Sequence, residues 1–183
     1  MIRRLFSFAL ALGVLAVATA YAGRWAAPQS PVFPEASGYV TIPGAALPPL
    51  PTRVYHVIFD ATRAADRPTE LVPAIDNAAS ELNAFSVAGV PQANAKFVLV
   101  FHGPAMDALL DDAHYRAKHG VANPNLVVLA KMKQRGVKLF VCGQNLAMDD
   151  VDPATLTRDV AIASDALIVL MTYQNEGYAL LAF

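Results

Sequence analysis

The chain has one cysteine, Cys142. A lone cysteine excludes an internal disulfide, so nothing covalent staples the fold. There is no CxxC pair, HExxH, Walker loop, GxGxxG or nucleophile elbow, which removes the standard metal, nucleotide and hydrolase readings. No cofactor and no metal site is expected. His114 and His119 are five apart and do not share a helix face as paired ligands would. Asp149, Asp150 and Asp152 form an acidic stretch without the glycine and distal glutamate of a calcium loop, and read as a solvated turn. Charge is scarce and nearly balanced, with 14 Lys and Arg against 15 Asp and Glu. With no basic cluster and no aromatic–basic interleaving, no nucleic-acid partner is expected. No internal repeat is visible either.

What the chain does have begins with an export signal. Met1-Ile2-Arg3-Arg4 is a basic start, Leu5 to Ala18 an apolar run, and Ala20-Tyr21-Ala22 a small-x-small cleavage triplet before Gly23. The apolar run is short for a spanning helix, which favours a cleaved signal peptide over 1–22 above a retained anchor. The mature protein is therefore expected in a periplasm, with no membrane attachment after cleavage. Residues 23–52 form a proline-rich arm in which no apolar periodicity survives. Trp25, Phe33, Tyr39, Val40 and Ile42 argue that it packs in part, on its own domain or on a neighbouring subunit.

Residues 53–183 alternate strand and helix patterns. Strands are expected at 53–59, 95–101, 137–141, 159–163 and 178–183. A helix is expected to start between Thr69 and Pro73 and stop at Gly89. Another runs from Pro104 to about Leu110, with a further turn or two in the polar stretch 111–120. A third opens at Asn123-Pro124 and ends before Gly136, and a last one is capped by Ser164 and stopped by Gly177. Gln144 to Asp152 reads as a loop, with a helical turn at Asp152-Pro153. Each crossover is long enough for a right-handed βαβ unit, so the expected fold is α/β: three layers, α/β/α, with a five-stranded mainly parallel sheet.

In such sheets ligands bind outside the carboxyl ends of the strands. That edge collects Asp60, Thr62, His102, Gly103, Cys142, Gly143 and Ser164. The thiolate is the nucleophilic form of cysteine, and an adjacent imidazole or helix N-terminus favours it. If the second and third strands pair, His102 and Cys142 lie side by side, and they are the candidate catalytic residues. The plain reading stands beside this one: a strand-end cysteine also serves as an inert small hydrophobe, and a histidine before Gly-Pro as a turn residue.

Phe101-His102-Gly103-Pro104, Asn123-Pro124-Asn125, Gly136-Val137 with Val141-Cys142-Gly143-Gln144, and Gln174-x-x-Gly177-Tyr178-Ala179 occur in this order. Together they resemble the DsrE/DsrF-like (YchN-like) family, in its exported branch, over about Val54 to Phe183. The resemblance implies a five-stranded parallel sheet, a trimeric or hexameric homo-oligomer, and a sulfur carrier or sulfurtransferase. Such a carrier holds a persulfide on a cysteine matching Cys142 and exchanges it with a donor or acceptor protein. The alternatives are a non-catalytic oligomeric binding module whose strand-end pocket Cys142 merely lines, and a thiol redox sensor.

Overall fold

A computed structural model describes residues 25–183. The expected signal peptide, 1–22, lies outside the described residues. Five strands form one all-parallel sheet: β1 (Tyr55–Ala61), β2 (Ala95–Phe101), β3 (Lys138–Cys142), β4 (Ala161–Ala163) and β5 (Ala179–Ala182), in the spatial order β4-β3-β2-β1-β5. The connections contain α1 (Pro73–Val87), α2 (Asp112–His119), α3 (Asn125–Gln134), α4 (Gly143–Met148) and α5 (Ala166–Asn175), with short 3₁₀ turns at Gln92–Asn94, Gly103–Leu109 and Pro153–Thr155. Among the described residues no helix is long and apolar enough to cross a membrane.

The strand order dictates which face each helix covers. From β1 to β4 the chain steps across the sheet in one direction, and right-handed crossovers then place every helix on the same face. The step from β4 back to β5 reverses direction and sends α5 to the opposite face. The core follows this rule. Phe59, Phe97, Leu99, Phe101, Leu139 and Val141 pack against α1 and α3, while Ile58, Val98, Val100 and Cys142 point the other way, against α5. The alternation along each strand is the period-2 rule of a sheet buried on both faces.

Three differences from the sequence reading stand out. The segment after Cys142 is a helix, α4, starting directly at Gly143; its one fully buried side chain, Leu146, gives too short an apolar pattern to betray it. The cap of α5 is Asp165, whose side chain accepts from the Leu167 amide, and not Ser164. Strand β1 runs two residues further than expected, through Asp60 and Ala61.

The Asn123-Pro124-Asn125 motif is a clamp. Asn123 Oδ1 accepts from the Asn125 amide, and its Nδ2 donates to the carbonyls of Ala108 and Leu110. Asn125 Oδ1 accepts from the Val72 amide ahead of α1. Both side chains are buried, so the clamp ties three connections together without leaving a polar group unpaired.

The proline-rich arm packs on its own domain. Phe33 is fully buried in the main core. Asn83 of α1 pins it: Oδ1 accepts from the amides of Val32 (3.0 Å) and Phe33 (2.9 Å), and Nδ2 donates to the Phe33 carbonyl (3.1 Å). Ser37 donates through its amide and hydroxyl to Asp76, and Glu35 pairs with Lys131.

Candidate functional site

Helices leave β3 and β4 toward opposite faces of the sheet, α4 toward the first and α5 toward the second. In an open α/β sheet such a divergence is the topological switch point, where a crevice opens at the strands' carboxyl ends. Cys142 is the last residue of β3 at this point, paired with Ala163 of β4. Its sulfur accepts a hydrogen bond from the Ala166 amide, in the first turn of α5, at 3.3 Å, and lies 4.0 Å from Asp165 Oδ1. An unpaired amide of a first helical turn, aided by the helix dipole, favours negative charge on an acceptor.

The crevice is tight. A Cβ built on Gly143 would stand 2.6 Å from the Ala163 carbonyl oxygen, so only glycine fits beside β4 there. Cys142 itself is 4% exposed, against Ile58, Val98, Val100, Val169 and Leu170. A carrier thiol must meet its donor, yet in the single chain the Cys142 thiol is buried. The two segments flanking it are bridged at the surface by one hydrogen bond, from Gln144 Nε2 to the Ser164 carbonyl at 3.3 Å.

β2 and β3 pair as expected. The register sets Phe101 beside Val141, which leaves His102 and Cys142 level one residue further on. Their side chains engage different partners. His102 Nε2 hydrogen-bonds Asp60 Oδ1 at 2.6 Å, both groups partly buried, while the sulfur is held by Asp165 and Ala166. The sheet edge thus carries two adjacent centres: an Asp60–His102 pair over β1 and β2, and a sulfur under the α5 N-terminus over β3 and β4. Asn145 of α4 reaches the first of these, its Oδ1 accepting from the Gly103 amide beside His102 at 3.3 Å. The other edge residues hold structure: Thr62 donates to the Phe183 carbonyl, and Ser164 offers its carbonyl to Gln144.

The sequence reading did not assign Asp165 and Ala166 to the sulfur. The available signal was Asp165 standing directly before the apolar run Ala166-Leu167-Ile168-Val169, a helix start with its cap in place. No group of three or more His, Cys, Asp or Glu side chains suited to a metal occurs among the described residues.

The model of the DsrE/DsrF-like family matches residues 56–183. The chain belongs to this family. Two solved structures share the DsrE/DsrF-like fold of this chain. The ychN protein from E. coli is 17% identical, with a TM-score of 0.52 over 71% of this chain and 100% of its own. MTH1491 from Methanobacterium thermoautotrophicum, a protein of unknown function, is 17% identical, with a TM-score of 0.51 over 70% of this chain and 99% of its own. No curated protein sequence matches. At this identity the likeness establishes the fold. The proline-rich arm lies outside the matched residues.

Proposed function

We propose that this DsrE/DsrF-like chain is an exported, homo-oligomeric sulfur carrier that holds a persulfide on Cys142. The observation that supports it most is the Ala166 amide hydrogen-bonded to the Cys142 sulfur at the topological switch point. An anionic sulfur at that position gains from the donor and from the α5 dipole. Loading is redox-neutral: the Cys142 thiolate attacks the outer sulfur of a persulfide donor, a new S–S bond forms on Cys142, and the donor's S–S bond breaks to release its thiol. With thiosulfate the leaving group is sulfite. Unloading is the same exchange with an acceptor thiol. His102, its ring held by Asp60, is the base assigned to the Cys142 proton. Burial of the thiol restricts donors to small species, or to a partner that opens the Gln144–Ser164 bridge.

The exposed face of α5 supports the homo-oligomer. Leu167, Ile168 and Met171 are each at least half exposed. A helix apolar on both sides is normally covered on both. Light scattering at micromolar concentration is expected to give a multiple of the chain mass, and N-terminal sequencing of the exported protein is expected to begin at Gly23.

A second reading has its own observation. The burial of Cys142 favours a binding module in which the sulfur is packing. One experiment separates the two. The native protein is incubated with a small persulfide donor and its mass measured. The carrier reading expects one added sulfur atom, absent in Cys142→Ala and formed more slowly in His102→Ala near neutral pH. If Cys142 takes up sulfur only after unfolding, the carrier reading fails and the binding module stands.

A further inference from the structure

Away from the strand ends, the arm arches over one flank of the sheet and leaves a cavity of about 510 Å³ beneath it. This volume lies within the range of small-molecule sites, roughly 300–1,000 Å³. The floor is aromatic: Tyr55 is partly exposed to the space, and Phe59, Phe85 and Phe97 lie buried directly behind it. Tyr55 lies 4.5 Å from Phe85 and Phe59 lies 5.2 Å from Phe97, measured between ring centroids. Pro48, Pro49 and Leu50 form the roof, and Leu181 of the edge strand β5 closes one side. The roof is tied down at two points: the Leu50 amide donates to Tyr55 Oη at 2.8 Å, and Asn94 Nδ2 donates to the Pro51 carbonyl at 2.9 Å.

Two charged residues border this otherwise apolar space, both solvent-exposed: Glu81 of α1 and Arg53 ahead of β1. Among the described residues neither forms an ion pair, with the other or with anything else, whereas Glu35, Arg67, Glu70, Asp107 and Lys131 all do. An aromatic floor flanked by uncompensated charges of opposite sign is complementary to a molecule with an apolar ring and both an ammonium and a carboxylate.

We infer that the space under the arm is a binding site for a small zwitterion with an aromatic body, of the amino-acid type, its ammonium facing Glu81 and its carboxylate facing Arg53. Partial desolvation pushes the Glu81 carboxyl pKa up, and an adjacent ammonium would restore the charged form. The site is separate from Cys142 and does not depend on the sulfur reading. The arm, outside the family match, supplies its roof, so the site is a property of this chain's own extension.

Calorimetry on the mature chain with four indole probes tests it: tryptophan (both charges), tryptamine (ammonium only), indole-3-propionate (carboxylate only) and indole (neither). Tryptophan should bind one per chain, about threefold or more tighter than either singly charged probe, as partly exposed ion pairs allow. Glu81→Gln should erase its advantage over indole-3-propionate but keep that over tryptamine, and Arg53→Gln should do the reverse. Leu181→Trp, at a half-exposed wall position that tolerates a larger side chain, should abolish binding of all four. The inference is overturned if no probe binds at millimolar concentration, if all four bind alike, or if the charge variants leave the ranking unchanged. Binding that disappears as the protein self-associates would also overturn it, because a second copy would then be the occupant. Cys142 loading measured on the same variants should be unaltered, which keeps the two readings distinguishable.

Discussion

Removing the Asn83 amide should release the arm from the domain. Asn83 is fully buried, and its side chain satisfies four backbone groups of the arm: the Val32 and Phe33 amides and the Phe33 and Ser37 carbonyls. In Asn83→Ala these groups either stay inside unpaired or leave. Staying costs about 1–3 kcal/mol for each orphaned group. Leaving withdraws the Phe33 side chain from the core, worth about 1.5–3 kcal/mol of burial, and strains the Ser37–Asp76 bonds and the Glu35–Lys131 pair. The cheaper route sets the cost, so the expected loss is about 3 kcal/mol, or about 6–12 °C in Tm for a chain of this size. Urea unfolding measures the loss, and limited proteolysis within 28–50 should speed up in parallel. Asn83→Leu fills the same space without hydrogen bonds and should lose about as much. In a double-mutant cycle Phe33→Ala should add little to Asn83→Ala, because both release the same segment. A loss under about 1 kcal/mol, or rescue by Asn83→Leu, would refute the account by showing that the arm is held by shape and not by these bonds.

Gly143→Ala should cost about 1–3 kcal/mol, because the added Cβ meets the Ala163 carbonyl and backbone cannot step aside as a flexible side chain would; unfolding indistinguishable from the parent chain would show that β4 is looser than its pairing implies. Gln144→Ala should speed iodoacetamide labelling of Cys142 at fixed pH by roughly two- to tenfold, since a lost hydrogen bond of about 0.5–1.5 kcal/mol raises the open population by that factor; an unchanged rate means the sulfur is reached by another route. For Glu81 the sign follows from its raised pKa. The folded chain holds the proton more tightly than the unfolded chain, so this group makes stability fall as pH rises from the ordinary glutamate value of about 4.3 through the raised one. Glu81→Gln should therefore stabilise near neutral pH and make no difference in acid, as read by urea melts at both; a constant difference at all pH values would remove burial as the cause.

Much of the architecture was legible in the residues. Apolar β-branched runs such as Phe97 to Phe101 and Leu139 to Val141 specify strands buried on both faces. The glycines at 89, 136 and 177 adopt positive φ and end helices where side chains would be strained. Long crossovers between strands require parallel pairing, and the strand ends carry Cys142 and His102 to one edge. These features are local, with periods of two to four residues, and a linear sequence displays them. The order of strands in space is not local. Because β5 returns to the far side of β1, α5 crosses to the other face and the switch point falls at Cys142. That position brings the Ala166 amide onto the sulfur, 24 residues along the chain. His102 and Cys142 were correctly brought level by strand pairing, but which partner each side chain takes depends on rotamer and on packing against α5, and the His102 ring is bound to Asp60. Aromatic residues such as Phe33 signalled that the arm packs, but where it docks was beyond reach: its prolines remove every periodic signal, and Asn83 sits among the apolar residues of α1 as one amide that only three dimensions connect to Phe33, 50 residues away. Periodicity and turn chemistry belong to the sequence; burial of the thiol, its amide donor and the cavity under the arm arise only where distant segments close on one another.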